Sequence, residues 1–381
     1  MRVAVVHDYF TQHGGAEKVA EELYSFLPDP DLFATLALPA YMPPRLQGVN
    51  VQTSWMQKLP RIRDYYRLYF FLYPFAVGSL DLSAYDLIVS SSSGYAKGVR
   101  ASANAIHVCY CHTPMRWAWN YQQYANRESF GLGQRAILPL FVRGLQHWDA
   151  AASRQPDHFV ANSKSVAERI RWTYQRTAEV IHPPVETERF HLSNAPHDDY
   201  YLVLSRLVSY KRIDIAVQAC RQRGKRLLVI GEGPDRQSLE AMAGDTIKFL
   251  GRASDAKVEY HAARCRALLF PGEEDFGMAP VEVAAAGRPT IAFRAGGALE
   301  TIVEGRTGVF FDQQTPESLG DAIERFERLP WSSTELRKHS RTFSAAVFRD
   351  RFRAFLNRVG ARLDSAPSDH GLDTVARWRA S

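Results

Sequence analysis

The sequence predicts an α/β chain of two doubly wound domains, and three observations lead to that prediction. The run RVAVVHDY at residues 2–9 is apolar enough for a buried parallel strand, and a glycine pair then turns the chain into a helix. The same pattern starts again near residue 201 with YLVLSRLVSYKRIDIAV. At 381 residues, the chain is long enough for two domains that each bury a core of their own.

Composition places the chain among ordinary globular proteins, because 46% of its residues are hydrophobic and 23% are charged. The net charge of +6 slightly favours anionic partners such as nucleotides, diphosphates, nucleic acid or anionic lipid. The basic residues are scattered rather than clustered, which argues against nucleic acid. The four cysteines show no disulfide framework.

No segment has the character of a secretion signal or a membrane-spanning helix. The apolar run before His7 is too short for the core of a signal peptide. The longest charge-free apolar stretch, residues 68–80, contains Pro74 and is shorter than the roughly 20 residues that a spanning helix needs. We therefore expect a cytoplasmic protein, with peripheral attachment to the inner face of the cell membrane as a further option.

The first predicted strand ends in a loop that contains Gly14 and Gly15, and the following helix extends to about Leu27. Backbone amides therefore lie at the carboxyl end of a parallel sheet, where open α/β folds bind ligands. The glycine pair lacks GxGxxG spacing, so a tight strand-to-helix turn also explains it. The following Asp29-Pro30-Asp31 has the DxD pattern of metal-dependent sugar transferases, but its central proline favours a plain turn.

Residues 55–80 combine basic and aromatic side chains at an unusual density, with Lys58, Arg61, Arg63 and Arg67 ahead of a block of Tyr and Phe. Aromatic rings settle at headgroup depth and cations meet anionic lipid, so the stretch suits a membrane surface. A helix packed inside the first domain, with solvated arginines, fits the same residues. Periodicity alone does not decide between the two.

Two further strands of the first half end in polar residues. The strand at Tyr85–Val89 is followed by Ser90–Ser93, which is either plain loop or a set of hydroxyls for an acceptor sugar. The strand at Ala105–Cys111 stops at His112, a position where α/β folds expose functional side chains. The His and two Cys residues of this strand lack a second pair at metal-ligand spacing, so no zinc site is predicted.

In the second half, two cations are expected at the carboxyl edge of the sheet. Arg206 ends a strand and Lys211 lies at the start of the next helix. Each alone is most simply a solvated base, but together they would neutralise a diphosphate leaving group.

The stretch EEDFGMAPVE at residues 273–282 places two carboxylates on either side of a helix start. Pro280 fits a first helical turn because its missing N–H would be unpaired there, so Glu274 lies on the entering loop and Glu282 within the helix. An acidic helix N-terminus explains either glutamate alone, whereas the whole string suits an elongated ligand such as a nucleotide sugar. The free amides of the turn, which suit a phosphate or a sugar hydroxyl, are those near Gly277, Met278 and Ala279.

The motifs of this stretch carry a family resemblance. The E-x7-E string contains FG-x-x-P-x-E and is followed by AxGxP and by AGGALETIVEGRTGVFF. These motifs resemble those of the retaining glycosyltransferases of family 4, with matching landmarks from Val3 to about Arg353. The resemblance implies the GT-B fold, in which two Rossmann-like domains face each other across a cleft. It also implies that no metal or other cofactor is required beside the nucleotide-sugar donor.

The resemblance assigns roles to individual residues. Glu274 would bind the donor sugar and be needed for transfer, and Glu282 would bind the nucleotide ribose. Arg206 and Lys211 would clamp the diphosphate, and His112 would lie beside the reacting sugar. The backbone groups implied are those of Gly14 and Gly15 toward the donor phosphates and the acceptor, and of Gly251 and Arg252 beside the base.

We predict that the chain moves a hexose onto a lipid-linked acceptor in cell-surface polysaccharide synthesis. The sequence MRWAW after the HTP motif resembles members that use mannose donors, so GDP-mannose is the expected donor. The expected acceptor is a polyprenyl-diphosphate-linked oligosaccharide. A UDP-hexose-dependent transferase and a nucleotide-sugar epimerase of similar outline remain alternatives.

A proline pair and a polar tract near residue 190 mark the predicted domain boundary. Residues 1–190 are expected to bind the acceptor and residues 191–345 the donor. By resemblance, a helix at 346–363 crosses back to the N-terminal domain. Residues 364–381 are polar without an apolar period and are predicted to be disordered.

Overall fold

The computed structural model of the chain describes residues 1–66, 68–119, 132–193 and 197–363. It divides into a first unit, Met1–Ile181 with the C-terminal residues from Arg349 onward, and a second unit, His182–Phe348. Each unit is built on a parallel β-sheet, which confirms the predicted α/β class with two doubly wound domains. Residues 364–381, which are predicted to be disordered, lie outside these described ranges.

A seven-stranded parallel sheet forms the centre of the first unit. Its strands are β1 (Val3–His7), β2 (Asp31–Ala34), β3 (Val51–Thr53), β4 (Leu87–Ser92), β5 (Ile106–Cys111), β6 (His158–Ala161) and β7 (Ala178–Val180). They lie in the order β3-β2-β1-β4-β5-β6-β7. Strands β1 and β4 are buried along their whole length, as expected for central strands of a parallel sheet that is covered on both faces. The edge strands β3 and β7 are partly exposed.

Helices follow most of these strands. They are α1 (Gly15–Phe26), α2 (Ile62–Tyr65), α3 (Tyr73–Val77), α4 (Arg116–Trp119), α5 (Leu132–Ala152) and α6 (Lys164–Tyr174). Asp29, which belongs to the DxD pattern, takes a left-handed conformation between α1 and β2, and Asp31 begins β2. The predicted turn at this pattern is therefore confirmed.

The second unit contains a six-stranded parallel sheet. Its strands are β8 (Tyr201–Leu204), β9 (Leu227–Ile230), β10 (Ile247–Gly251), β11 (Leu268–Phe270), β12 (Thr290–Phe293) and β13 (Gly308–Phe311). They lie in the order β10-β9-β8-β11-β12-β13. Its helices are α7 (Ile213–Gln222), α8 (Arg236–Met242), α9 (Asp255–Arg264), α10 (Met278–Ala285), α11 (Ala298–Thr301), α12 (Pro316–Glu327) and α13 (Ser333–Ser340).

The last described helix, α14 (Ala345–Arg358), belongs to the first unit from Arg349 onward. Its Phe352 packs edge-on against Phe26 of α1, with ring centroids 5.8 Å apart. Arg349 donates a hydrogen bond of 2.6 Å to the buried carboxylate of Glu22. An aromatic contact and a charge-assisted hydrogen bond thus attach this part of the helix to α1.

In its described part, the stretch at residues 55–80 contains a 3-10 helix at Trp55–Lys58 and the short helices α2 and α3 instead of a single packed helix. Met56, Tyr73 and Val77 are buried in the core of the first unit. Phe71 and Phe75 are exposed. Packing inside the domain is therefore confirmed for the buried side chains of this stretch. Contact of the exposed side chains with a membrane stays a prediction.

Strand order positions the loops that bear the candidate site. In each sheet the chain first adds strands on one side and then continues on the other, and the reversal falls between β1 and β4 and between β8 and β11. Loops that leave neighbouring strands in opposite directions leave a crevice at the carboxyl ends of those strands, where ligands of open α/β sheets bind. Within the described ranges, no helix is long and apolar enough to cross a membrane.

Candidate active site

Arg206 and Lys211 lie on the loop that leaves β8 at the reversal point of the second sheet. Leu207 in this loop donates a backbone hydrogen bond of 2.9 Å to the carbonyl of Glu232 in the loop after β9. A Cβ atom added to Gly233 would lie 2.1 Å from the carbonyl oxygen of Leu207, so only glycine allows this approach. The GEG sequence therefore holds the cation-bearing loop in place.

Lys211 contacts Glu274 directly. The ammonium forms an ion pair with the Glu274 carboxylate, and the two side chains are 13% and 18% exposed. Glu274 follows β11, the strand next to β8, so the strand reversal brings the two residues together across 63 positions of sequence. An ammonium has three N–H donors, so Lys211 is able to hold a phosphate oxygen while it remains bonded to Glu274.

The Glu274 loop is braced from the opposite side by the glycine pair after β12. Gly297 donates its backbone N–H to the carbonyl oxygen of Glu274 at 2.8 Å. A Cβ atom on Gly297 would lie 2.2 Å from the Cα atom of Phe276. The backbone contacts thus fix the position from which the Glu274 side chain extends.

Helix α10 begins directly after this loop, with Gly277 in a left-handed conformation before it and Pro280 as its third residue. The predicted helix start is therefore confirmed. The backbone amides of Met278 and Ala279 belong to its first turn, which carries the positive end of the helix dipole. Glu282 lies within the helix and is buried, with 8% exposure.

Gly251 and Arg252 lie farther along the same sheet edge. Gly251 ends β10, the edge strand two places from β8, and its carbonyl accepts a hydrogen bond of 2.9 Å from Gly231. Two strand spacings correspond to about 10 Å. The structure therefore does not bring these residues against Lys211, but places them at a distance that suits the far end of an elongated ligand.

In the first unit, His112 directly follows β5. Its backbone N–H donates to the carbonyl of Ser92 at 2.8 Å, and its ring Nε2 lies 2.8 Å from Ser91 Oγ. Burial lowers the pKa of His112 to about 3, and the neighbouring His7 lowers it further in the same direction. The imidazole is therefore neutral near pH 7 and acts through hydrogen bonds instead of through charge.

Gly14 and Gly15 lie where β1 leads into α1. Gly14 is extended and precedes the helix, and Gly15 is its first residue. A Cβ atom on Gly14 would lie 2.8 Å from the carboxylate of Glu17, so a side chain there would displace that buried group.

Sequence reasoning missed Asp8, which occupies the reversal point of the first sheet. Its carboxylate accepts backbone hydrogen bonds from Ser93 at 2.6 Å, Tyr95 at 2.8 Å and Ala96 at 2.6 Å. Converging amides of this kind commonly bind anions. At this position the chain's own carboxylate already occupies the amides. Its negative charge would repel a phosphate, whereas the corresponding edge of the second sheet carries Arg206 and Lys211. The one feature of the sequence that could have indicated this position of Asp8 is the apolar run that ends at His7-Asp8.

Two family models match the chain: Glycosyltransferase Family 4 over residues 13–189 and Glycosyl transferases group 1 over residues 184–343. An uncharacterized glycosyltransferase of Methanocaldococcus jannaschii is 27% identical over 49% of this chain and 54% of its own length. A GDP-mannose-dependent alpha-(1-6)-phosphatidylinositol monomannoside mannosyltransferase of Mycobacterium tuberculosis is 28% identical over 38% of this chain and 45% of its own length. The chain thus spans about half the length of these curated relatives.

Among solved structures, Anabaena HepE in complex with UDP superposes with a TM-score of 0.70 at 17% sequence identity. The superposition covers 94% of this chain and 100% of HepE. At this identity, the similarity establishes the fold alone.

Proposed function

We propose that this chain, which belongs to the family 4 glycosyltransferases, transfers a hexose from a nucleoside diphosphate sugar to a hydroxyl group with retention of configuration. The observation that carries the proposal is the contact between Lys211 and Glu274 where the second sheet reverses its strand order. A cation for a diphosphate and a carboxylate for sugar hydroxyls meet there beside the start of α10. These are the two kinds of group that an activated sugar requires.

The proposed roles follow from the chemistry of each group. Arg206, Lys211 and the amides at the start of α10 hold the diphosphate and stabilise its charge as the bond to the sugar breaks. Glu274 positions the sugar hydroxyls, and Glu282 binds the ribose. The leaving phosphate takes the proton of the acceptor hydroxyl on the same face of the sugar, so configuration is retained without an enzymatic nucleophile. His112 contributes a neutral hydrogen-bonding group.

The second unit is the proposed donor-binding domain, and the first unit the proposed acceptor-binding domain. Asp8 supports this division, because its carboxylate already binds the amides at the reversal point of the first sheet. A phosphate brought to those amides would meet a negative charge.

GDP-mannose is the proposed donor, and a polyprenyl-diphosphate-linked oligosaccharide is the proposed acceptor. The donor is supported by the GDP-mannose-dependent relative and by the MRWAW sequence at residues 115–119. A UDP-hexose is the alternative donor. A thermal-shift panel of GDP, UDP and their sugars decides between them, since a ligand bound only by the folded protein raises its melting temperature. Chromatography of the products excludes an epimerase if the sugar appears on the acceptor.

Glu274→Ala tests the proposed mechanism. Loss of the carboxylate is expected to abolish transfer while the nucleotide still binds, because Lys211 and the α10 amides remain. Glu273→Ala is the matched control, since Glu273 is the exposed carboxylate one position earlier and has no proposed role. Full turnover by Glu274→Ala would refute the proposed role of this residue.

The proposed acceptor requires access to a membrane surface, and the first unit has exposed apolar side chains that suit one. Phe75 and Leu140 are 70% and 72% exposed, and the rings of Phe71 and Phe141 lie 6.3 Å apart, which joins residues 55–80 to α5. The exposed Arg61 and Arg63 supply charge for anionic lipid. We propose that this face places the enzyme peripherally on the cytoplasmic leaflet.

Vesicle flotation tests the membrane proposal. Phe75→Asp is expected to reduce binding to anionic vesicles at least tenfold, since it replaces an apolar contact by a charge that anionic lipid repels. Trp172→Asp is the matched control, because Trp172 is 74% exposed on α6 and belongs neither to residues 55–80 nor to α5. Equal flotation of the two variants would contradict the proposal.

A further inference from the structure

Three polar side chains form a continuous hydrogen-bonded row across the centre of the first sheet. His7 ends β1, Ser91 lies opposite it on β4, and His112 follows β5. His7 Nδ1 lies 3.1 Å from Ser91 Oγ, and the same oxygen lies 2.8 Å from His112 Nε2. The three residues are 2%, 0% and 8% exposed. The serine hydroxyl is therefore shared by two buried imidazoles.

A serine hydroxyl has one proton, so it donates to one of the two rings and accepts from the other. Burial lowers the pKa of His7 to about 4 and that of His112 to about 3, so both rings are neutral near pH 7. A neutral imidazole carries its proton on one nitrogen only. The tautomers of His7 and His112 are consequently coupled through Ser91, and only two arrangements satisfy all three groups.

In the first arrangement, His7 donates from Nδ1 to Ser91, Ser91 donates to Nε2 of His112, and Nδ1 of His112 carries a proton. In the second arrangement, every donor and acceptor is reversed, and Nδ1 of His112 is a bare acceptor. The two arrangements therefore present opposite hydrogen-bonding characters at this nitrogen. Within the described ranges of the chain, Nδ1 of His112 has no hydrogen-bond partner.

In both arrangements the two rings carry their proton on the same nitrogen, which is Nδ1 in the first arrangement and Nε2 in the second. This follows because Nδ1 of His7 and Nε2 of His112 are the ring atoms that face Ser91. The tautomer of His112 is therefore set by the tautomer of His7.

We propose that His7 and Ser91 are positioning residues that tie the tautomer of His112 to that of His7, so that Nδ1 of His112 has one defined hydrogen-bonding character toward a sugar or phosphate group. This inference rests on the proposed function for the role of His112 in transfer. The tautomer itself does not depend on that function. Ser91 acts on the reaction only through His112.

The neighbouring Ser90 provides a matched control. Ser90 Oγ lies 2.8 Å from Nε2 of His107, which is completely buried. Successive residues of a strand point to opposite faces of the sheet, so Ser90 is directed away from the row of Ser91. Ser90→Ala thus removes a serine–histidine hydrogen bond of the same length from the same strand without touching His112.

Nitrogen-15 NMR of the full chain with labelled histidine measures the tautomers, because protonated and bare ring nitrogens have different chemical shifts. The signals of His112 and His7 are assigned by their loss in His112→Gln and His7→Gln. We expect the same ring nitrogen to be protonated in His7 and in His112, both in the wild type and in Ser90→Ala. Ser91→Ala is expected to give a mixture of tautomers, and Ser91→Thr, which keeps the hydroxyl, is expected to restore the wild-type signals.

Kinetics gives the second measurement. Ser91→Ala is expected to lower kcat about tenfold, the effect of losing one well-oriented hydrogen bond, with the KM for the donor unchanged and Ser91→Thr active. Opposite tautomers of His7 and His112 in the wild type, or a His112 tautomer that Ser91→Ala leaves unchanged, would overturn the inference. If the expected tautomers are seen but no donor is turned over, the proposed function fails and the positioning of His112 stands.

Discussion

The buried histidines of the first unit predict a steep loss of stability in mild acid. Burial lowers the pKa of His7 and His107 to about 4 and that of His112 to about 3, from an ordinary value of 6.5. Below pH 6.5 the unfolded chain protonates these rings, whereas the folded chain keeps them neutral until about pH 4. The unfolded state then binds more protons, so the free energy of unfolding falls as the pH falls.

The magnitude follows from the size of the pKa differences. Each histidine lowers the free energy of unfolding by about 1.4 kcal/mol per pH unit between its unfolded and folded pKa values. At pH 5 the loss is about 2 kcal/mol for one histidine and about 6 kcal/mol for three. Domains have a total stability of about 5–15 kcal/mol. The first unit should therefore be only marginally folded at pH 5 and fully stabilised above pH 6.5.

Urea unfolding followed by tryptophan fluorescence at about pH 7.5 and about pH 5 measures this loss. His107→Gln removes one titrating ring and should reduce the difference between the two pH values by about 2 kcal/mol. His147→Gln, at an exposed histidine on α5, should leave the difference as in the wild type. Equal wild-type stability at both pH values, or an unchanged difference in His107→Gln, would refute the reasoning.

Two further substitutions test the packing of each unit. Lys97→Met leaves the buried carboxylate of Asp149 without its cation, so we expect the free energy of unfolding in urea to fall by about 3–5 kcal/mol. A fall smaller than the one that Asp149→Asn produces would contradict this expectation. Gly297→Ala forces a Cβ atom against the backbone that carries Glu274, and it should weaken donor binding about tenfold in calorimetry while the protein stays folded. Gly144→Ala, which has nothing within 4 Å, is the control and should bind donor normally.

Features that depend on short stretches of sequence could be predicted. The apolar runs at β1, β4 and β8 are continuous because both faces of these strands are buried, and the helix start at α10 follows from one proline. The short, partly exposed edge strands β3 and β7 lack such a run, so the sequence does not indicate them.

Contacts between distant residues could not be predicted in this way. Asp8 binds amides 85 to 88 positions later in the chain, so no local pattern reveals its role. The shared hydroxyl of Ser91 depends on the pairing of three strands, and the serine run alone was equally consistent with a loop. Strand order was the missing information in both cases, because a single sequence shows which strands exist and not which are neighbours.

Calorimetric titration of GDP-mannose into the wild type, Lys211→Met and Arg212→Met tests the central claim most directly. Lys211 contacts Glu274, whereas the adjacent Arg212 pairs with Asp214 and has no role in the proposed site. Loss of a charge-assisted hydrogen bond of about 1.5–3 kcal/mol should raise the Kd of Lys211→Met at least tenfold, with Arg212→Met close to the wild type. Equal affinities in all three proteins would contradict donor binding at this edge of the second sheet.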